Sequence, residues 1–144
     1  YIDHVLLLFN FEKKYFDRFE AVTVLQEWGR VLKPGATLRL AVPDFDQLIQ
    51  IYEKTKSLKK ILGPLFGCME IDTENGKEML YHKTVYTFDS LKVLLEEGGF
   101  TNVHRYDWKK TIHKDYDDHS QAYFPHMDKE NGILLSLNIE ALKI

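Results

Sequence analysis

From Phe16 the apolar residues fall at Phe16, Phe19, Val22, Leu25, Trp28 and Leu32, with Ala21, Val24 and Val31 widening the stripe. That period predicts an amphipathic helix of about four turns. Pro34 cannot continue it and Gly35 supplies a permissive backbone, so a turn is expected there. Residues 37–42 are apolar on both sides except at Arg39, the pattern of an interior strand with one side partly open. Asp44 is then placed to cap a following helix, with Phe45, Leu48, Ile49 and Tyr52 on one face. A helix on each side of a strand is the α/β pattern.

The chain opens with a short β-type apolar segment over residues 1–9, and Glu12 to Lys14 are polar. Residues 57–66 predict a second short helix broken at Gly63-Pro64, and residues 67–80 an exposed excursion without clear period. Thr87 caps a further helix with Phe88, Leu91, Leu94 and Leu95 inward, ended by Gly98-Gly99. Residues 101–108 alternate as a strand with His104, Tyr106 and Trp108 on one side. Residues 133–142 alternate as a half-buried strand, with Ser136, Asn138 and Glu140 outward. These last two strands follow one another without a helix, so an antiparallel pairing is expected.

At 144 residues the chain fits one domain, residues 1–144. A net charge of -3 and only short basic clusters, at residues 54–60 and at Lys109-Lys110, argue against a nucleic-acid partner. The longest apolar run, residues 5–9, is far below the roughly 20 residues a membrane span needs, so no membrane partner is expected. A single cysteine, Cys68, excludes an internal disulfide and fits a reducing, cytoplasmic setting. The chain begins at Tyr1 inside a strand-like run, which reads as a piece of something longer.

Open sheets bind ligands at the carboxyl ends of their strands. If the first two strands are parallel neighbours, Asp3, His4 and Asp44 converge on one crevice. Asp44 as a helix cap alone, and His4 as a boundary histidine, are the plainer readings. Residues 113–126 hold His113, His119 and His126 with Asp115, Asp117 and Asp118. Their spacing matches no compact metal signature, so no metal is expected. A loop that hydrogen-bonds a polar substrate, or itself, and a merely solvated loop both remain open. Neither Gly-x-Gly-x-x-Gly nor Gly-x-Ser-x-Gly occurs, and Cys68 has no neighbouring base in sequence.

The run Gln26-Glu-Trp-Gly-Arg-Val-Leu-Lys-Pro-Gly-Ala-Thr-Leu-Arg-Leu-Ala-Val-Pro-Asp-Phe45 resembles a helix, turn and strand of class I S-adenosylmethionine-dependent methyltransferases. The matching parts there are the helix, Leu-Lys-Pro-Gly-Gly turn and fifth strand, most of all in small predicted methyltransferases with a Val-Pro-Asp-Phe strand end. Asp3-His-Val-Leu-Leu-Leu-Phe9 is similar to the Ser-His-Val-Leu-Glu-His-Phe that follows strand four. Tyr81-His82, Gly98-Gly99-Phe100, Arg105-Tyr-Asp-Trp108 and residues 120–130 resemble the carboxyl half of the same family.

The resemblance implies a partial Rossmann-like methyltransferase fold, strands four to seven with flanking helices. It implies methyl transfer from S-adenosylmethionine to a polar small-molecule acceptor. Asp3 and His4 would line the cofactor side, and Asp44, His82, Tyr106, His119 and His126 the acceptor side. Leu7-Leu8 stand where the family has Glu-His, and no segment matches its glycine-rich cofactor loop or its ribose-holding acid. The chain alone is therefore not expected to complete the reaction. The edge of strand four would need cover from an amino-terminal segment or from a second copy in a homo-oligomer. A non-catalytic binding or self-assembly module is the alternative.

Overall fold

The computed structural model describes the backbone of residues 2–8 and all of residues 16–144. A central sheet has the strand order β1-β2-β8-β5, where β1 is Ile2–Leu8, β2 Leu32–Pro43, β5 Phe100–Arg105 and β8 Ser136–Lys143. β1 and β2 are parallel, while β8 lies between β2 and β5 and runs antiparallel to both. The fold is a mixed α/β arrangement on a small sheet, and the antiparallel pairing of the last two long strands agrees with their lack of an intervening helix. The polar stretch Glu12 to Lys14 lies outside the described residues.

The sheet buries one face beneath two helices, α1 (Glu20–Val31) and α4 (Phe88–Glu97). Leu38, Leu40 and Val42 alternate along β2 and pair across to Ala141, Ile139 and Leu137 of β8, so six apolar side chains form one surface. Leu25 of α1 and Leu91 and Leu95 of α4 close it. Leu38, Leu95, Leu137 and Ile139 are 0% exposed, and each such side chain contributes on the order of 1.5–3 kcal/mol by leaving water. Both helix starts are secured locally. Thr87 and Ser90 form a reciprocal capping box on α4. The Asp17 carboxylate accepts from the Phe19 and Glu20 amides at 2.8 and 2.9 Å at the start of α1.

Four expectations are corrected. Lys33 to Ala36 is not a separate turn: β2 is extended from Leu32, and the register shifts between Ile2/Leu32 and His4/Thr37, which absorbs the Pro-Gly pair as an irregularity. The helix α3 (Lys59–Phe66) runs through Gly63-Pro64. Pro64 removes a single intrahelical donor, the one that would serve the carbonyl of Lys60, an exposed residue. The excursion at 67–80 is exposed as expected, yet it is a hairpin of β3 (Met69–Thr73) and β4 (Gly76–Leu80) turning at Glu74-Asn75. Asn75-Gly76, with Gly76 at φ 112°, is the turn signal. Finally, β8 is buried on both faces, because residues 106–121 cover its polar side.

A second apolar cluster forms beside the carboxyl end of β2. Leu48 and Ile51 of α2 (Phe45–Thr55) meet Ile61 of α3 and Leu135, with Leu65, Phe124 and Ile133 around them. The short pair β6 (Tyr123–Phe124) and β7 (Ile133–Leu134) frames it. Between the clusters stands Asp44, 1% exposed, whose Oδ1 accepts from the Asp46 amide at 3.1 Å and caps α2. Its Oδ2 receives the Arg105 guanidinium at 2.9 Å. Its amide donates to the Leu135 carbonyl at 2.8 Å.

Asp44→Ala removes the cap and the ion pair together and is expected to cost about 2–4 kcal/mol in chemical denaturation. Asp44→Asn, which keeps a capping oxygen, is expected to cost less. Equal losses in the two variants would mean that the cap contributes nothing.

Candidate functional site

The carboxyl end of β2 is where chemically active side chains gather. Pro43 faces Ser136 across the β2–β8 ladder, and an isolated bridge joins Asp44 to Tyr86, with the Phe45 amide donating to the Tyr86 carbonyl at 3.0 Å. Arg105, at the end of β5, pairs with Asp44 and lies over the Phe88 ring at 5.4 Å. Both Asp44 oxygens are thus committed within the protein, which supports the cap reading and leaves the carboxylate little to offer a ligand.

On the sheet face opposite the α1–α4 core the same strands carry a polar ladder. Arg39 of β2 pairs with Glu140 of β8 at 2.7 Å, and His104 lies 3.8 Å from that carboxylate. Toward the strand ends, the Ser136 hydroxyl donates to Asn138 Oδ1 at 2.7 Å, and Asn138 Nδ2 donates to the Ser120 carbonyl at 2.8 Å. Ser120 belongs to a short 3-10 turn, His119–Gln121, capped by Asp118. Gln121 Nε2 donates to the Lys114 and Tyr116 carbonyls, and its Oε1 accepts from Lys129 at 2.7 Å. The 113–126 stretch is consequently a strap bonded to itself through Gln121, while most of its residues stay exposed.

Tyr106 packs against the strap at His113. Its amide donates to the Asn138 carbonyl at 3.1 Å, its ring meets His113 edge-on at 6.4 Å, and Arg39 lies over it at 5.8 Å. The buried side-chain atoms Tyr106 Oη, His113 Nε2, Asp118 Oδ2 and Ser120 Oγ have no hydrogen-bond partner of ordinary geometry. Burial, followed by the nearby Asp118 carboxylate, pushes the Tyr106 hydroxyl up to about 12. The approach of Ser120 opposes that shift without completing a well-formed bond.

His82 occupies a different place, beside the second cluster. Its amide donates to the Phe66 carbonyl at 2.6 Å and its Nδ1 lies 3.1 Å from the Leu65 carbonyl. Burial holds its pKa below the usual imidazole range, with the neighbouring His119 acting in the same direction and the Leu65 and Pro64 carbonyls against it. Gly67, at φ 62°, keeps the ring in place, because a Cβ there would stand 2.9 Å from His82 Nε2. His119 is exposed but near His82, whereas His126 is exposed.

The expected convergence of Asp3 and His4 with Asp44 is corrected by the register. His4 pairs with Thr37, so Asp44 lies about 23 Å further along β2 at ~3.3 Å per residue. Asp3 and His4 are in the early part of β1 rather than after it, and their side chains lie outside the described residues. Among the described residues no group of three or more His, Cys, Asp or Glu is arranged to hold a metal ion, and no helix is long and apolar enough to cross a membrane. Cys68 is exposed. A shallow cleft of about 620 Å³ lies at the other end of β2, between the ends of α1 and α4. Lys143 reaches into it toward the Gly99 carbonyl at 3.4 Å, which suits the negative end of α4.

Sequence reading missed Arg105, Ser120 and Asn138. The available signal was chemical: the outward positions of β8 carry Ser136 and Asn138, short uncharged groups suited to a buried network, rather than lysines. Comparison with protein-family models and with curated proteins gives no match.

The raised Tyr106 pKa fixes a sign. Its stabilising share is complete below the unfolded value of 10.0 and is lost as pH rises from there through about 12. Tyr86, raised by burial, acts in the same direction. Denaturation between about pH 10 and 12 should therefore show a steeper alkaline loss in the wild type than in Tyr106→Phe. Near neutrality that variant is expected to lose less than about 1 kcal/mol, since the hydroxyl it removes is unpaired.

Proposed function

We propose that this chain is the carboxyl-terminal half of an S-adenosylmethionine-dependent methyltransferase-like domain and contributes the acceptor side of its site. The observation that carries the reading is the strand order β1-β2-β8-β5, with a parallel pair first and the final strand inserted antiparallel between β2 and β5. Strands four to seven of the partial Rossmann-like fold implied by the Leu-Lys-Pro-Gly and Val-Pro-Asp-Phe segments would have that order.

The described residues do not fit the cofactor itself. The strand-to-helix turn Pro43-Asp44-Phe45 has no glycine, and its carboxylate is spent on Asp46 and Arg105. Assignment of Asp3 and His4 to the cofactor side rests on resemblance alone. No transfer step is therefore derived for this chain. Its own residues support a role in holding a polar acceptor: His82, kept largely neutral at pH 7 by burial, is in the form that can accept a proton or a hydrogen bond. His119 lies near it, whereas Tyr106 and Asp44 are engaged elsewhere, with His113 and with Arg105. His126 is a weaker candidate because it is exposed.

A non-catalytic binding or self-assembly module is favoured by one observation: β1 has only β2 as a strand neighbour among the described residues. Such an edge can take another strand. Calorimetric titration with S-adenosylhomocysteine discriminates the two. The chain alone is expected to give no micromolar binding, and the product of the parent gene, with whatever precedes Tyr1, is expected to bind. Failure of the parent product to bind would sink the methyltransferase reading.

A further inference from the structure

Four buried side-chain atoms meet no hydrogen-bond partner among the described residues: Tyr106 Oη, His113 Nε2, Asp118 Oδ2 and Ser120 Oγ. Tyr106 relates them to one another. Its ring meets His113 edge-on at 6.4 Å, and the Asp118 carboxylate and the Ser120 hydroxyl both act on its own hydroxyl. Ser120 is 0% exposed, so its hydroxyl has no recourse to bulk water. A single orphaned group is an ordinary imperfection. Buried polar atoms are nearly all paired, however, and several orphans around one tyrosine call for a common partner.

Charge decides what that partner is. The other Asp118 oxygen accepts from the Ser120 amide at 2.8 Å, and no ion pair engages the carboxylate among the described residues. The cations nearby are spent on other groups. Arg39, which lies over the Tyr106 ring at 5.8 Å, pairs with Glu140 at 2.7 Å, and Lys129 bonds Asp117 at 3.0 Å and Gln121 at 2.7 Å. An ionised Asp118 Oδ2 can only accept, while the two hydroxyls and a neutral imidazole nitrogen can accept as well. An anion would face the carboxylate directly. Water would satisfy hydrogen bonds without neutralising the charge. A calcium ion takes roughly six to eight oxygens and a zinc ion about four strong ligands, against a single carboxylate and a single imidazole here.

We propose that these side chains bind a primary ammonium group, the end of a small amine, with Asp118 Oδ2 as its counter-charge and Tyr106 Oη, Ser120 Oγ and His113 Nε2 as further acceptors. The several N–H donors on one small cation suit an acceptor-only oxygen with hydroxyls near it, and hydrogen bonds in which one partner is charged are the stronger kind. The strap segment between His113 and Asp118, residues 114–117, is exposed throughout, which puts the way in from solvent on that side. The site rests on residues other than His82, and it would stand if the methyltransferase reading failed.

The test is an NMR titration of the full chain with methylammonium chloride, with potassium chloride and tetramethylammonium chloride at matched ionic strength as comparisons. Methylammonium is expected to shift the amide signals of Tyr106, His113 and Ser120 saturably in the millimolar range, as suits a ligand this small. Neither comparison salt is expected to do so. Asp118→Asn keeps an oxygen to cap the turn but removes the charge, and is expected to weaken binding at least about tenfold. If that variant lowers the thermal midpoint, Tyr106→Phe serves, with an expected loss of about threefold or more. Asp115→Asn, at an exposed strap position, should leave binding unchanged. Absence of a saturable response overturns the proposal, and so does a response that tetramethylammonium reproduces or that Asp118→Asn and Tyr106→Phe leave intact. A crystal soaked in methylammonium that holds only water among these atoms would identify a structural water and overturn it equally.

Discussion

The carboxylate of Asp44 is the contact on which the arrangement at the strand ends depends. A buried charge is costly unless both of its oxygens are satisfied. Here one oxygen caps α2 and the other holds Arg105, so a single side chain fixes where β2 stops, where α2 starts and how the end of β5 approaches. Its backbone adds the link to Leu135, just before β8, and to Tyr86, just before α4. Five segments are thereby tied to one residue.

β8 has a comparable part within the sheet. Inserted between β2 and β5, it presents Leu137, Ile139 and Ala141 to the helices and Ser136, Asn138 and Glu140 to the strap. The two faces obey different physics. The apolar face gains from area removed from water, whereas the polar face must find partners for each buried group. It succeeds at Asn138 and Glu140 but leaves Tyr106, Ser120, Asp118 and His113 with unpaired atoms around one point.

The acceptor-side candidates divide on the same grounds. His82 is held by α3 and by the glycine beneath its ring, and His119 comes close to it from the strap. Tyr106 is separated from water by the strap that it helps to build, and Asp44 is engaged in structure. His82 is thus a half-buried imidazole beside α3, whereas the Asp44–Arg105 ion pair belongs to the carboxyl ends of β2 and β5.

Local pattern was sufficient wherever burial follows a period along one segment. The amphipathic period marked α1 and α4, Thr87 and Asp44 were legible as caps, and the alternation of β8 gave its inward residues. Asn75-Gly76 held a turn signal that hydrophobic period did not register. Only the tertiary structure decided the rest. Whether Leu58, Leu62 and Phe66 are core depends on what lies opposite α3, and whether Ser136 and Asn138 are wet depends on a strap some 18 residues away along the chain. The partnership of Asp44 with Arg105 spans 61 residues, and the register of β1 sets His4 far from the strand end. Sequence fixes what each side chain can do, while long-range pairing selects the neighbours with which it does so.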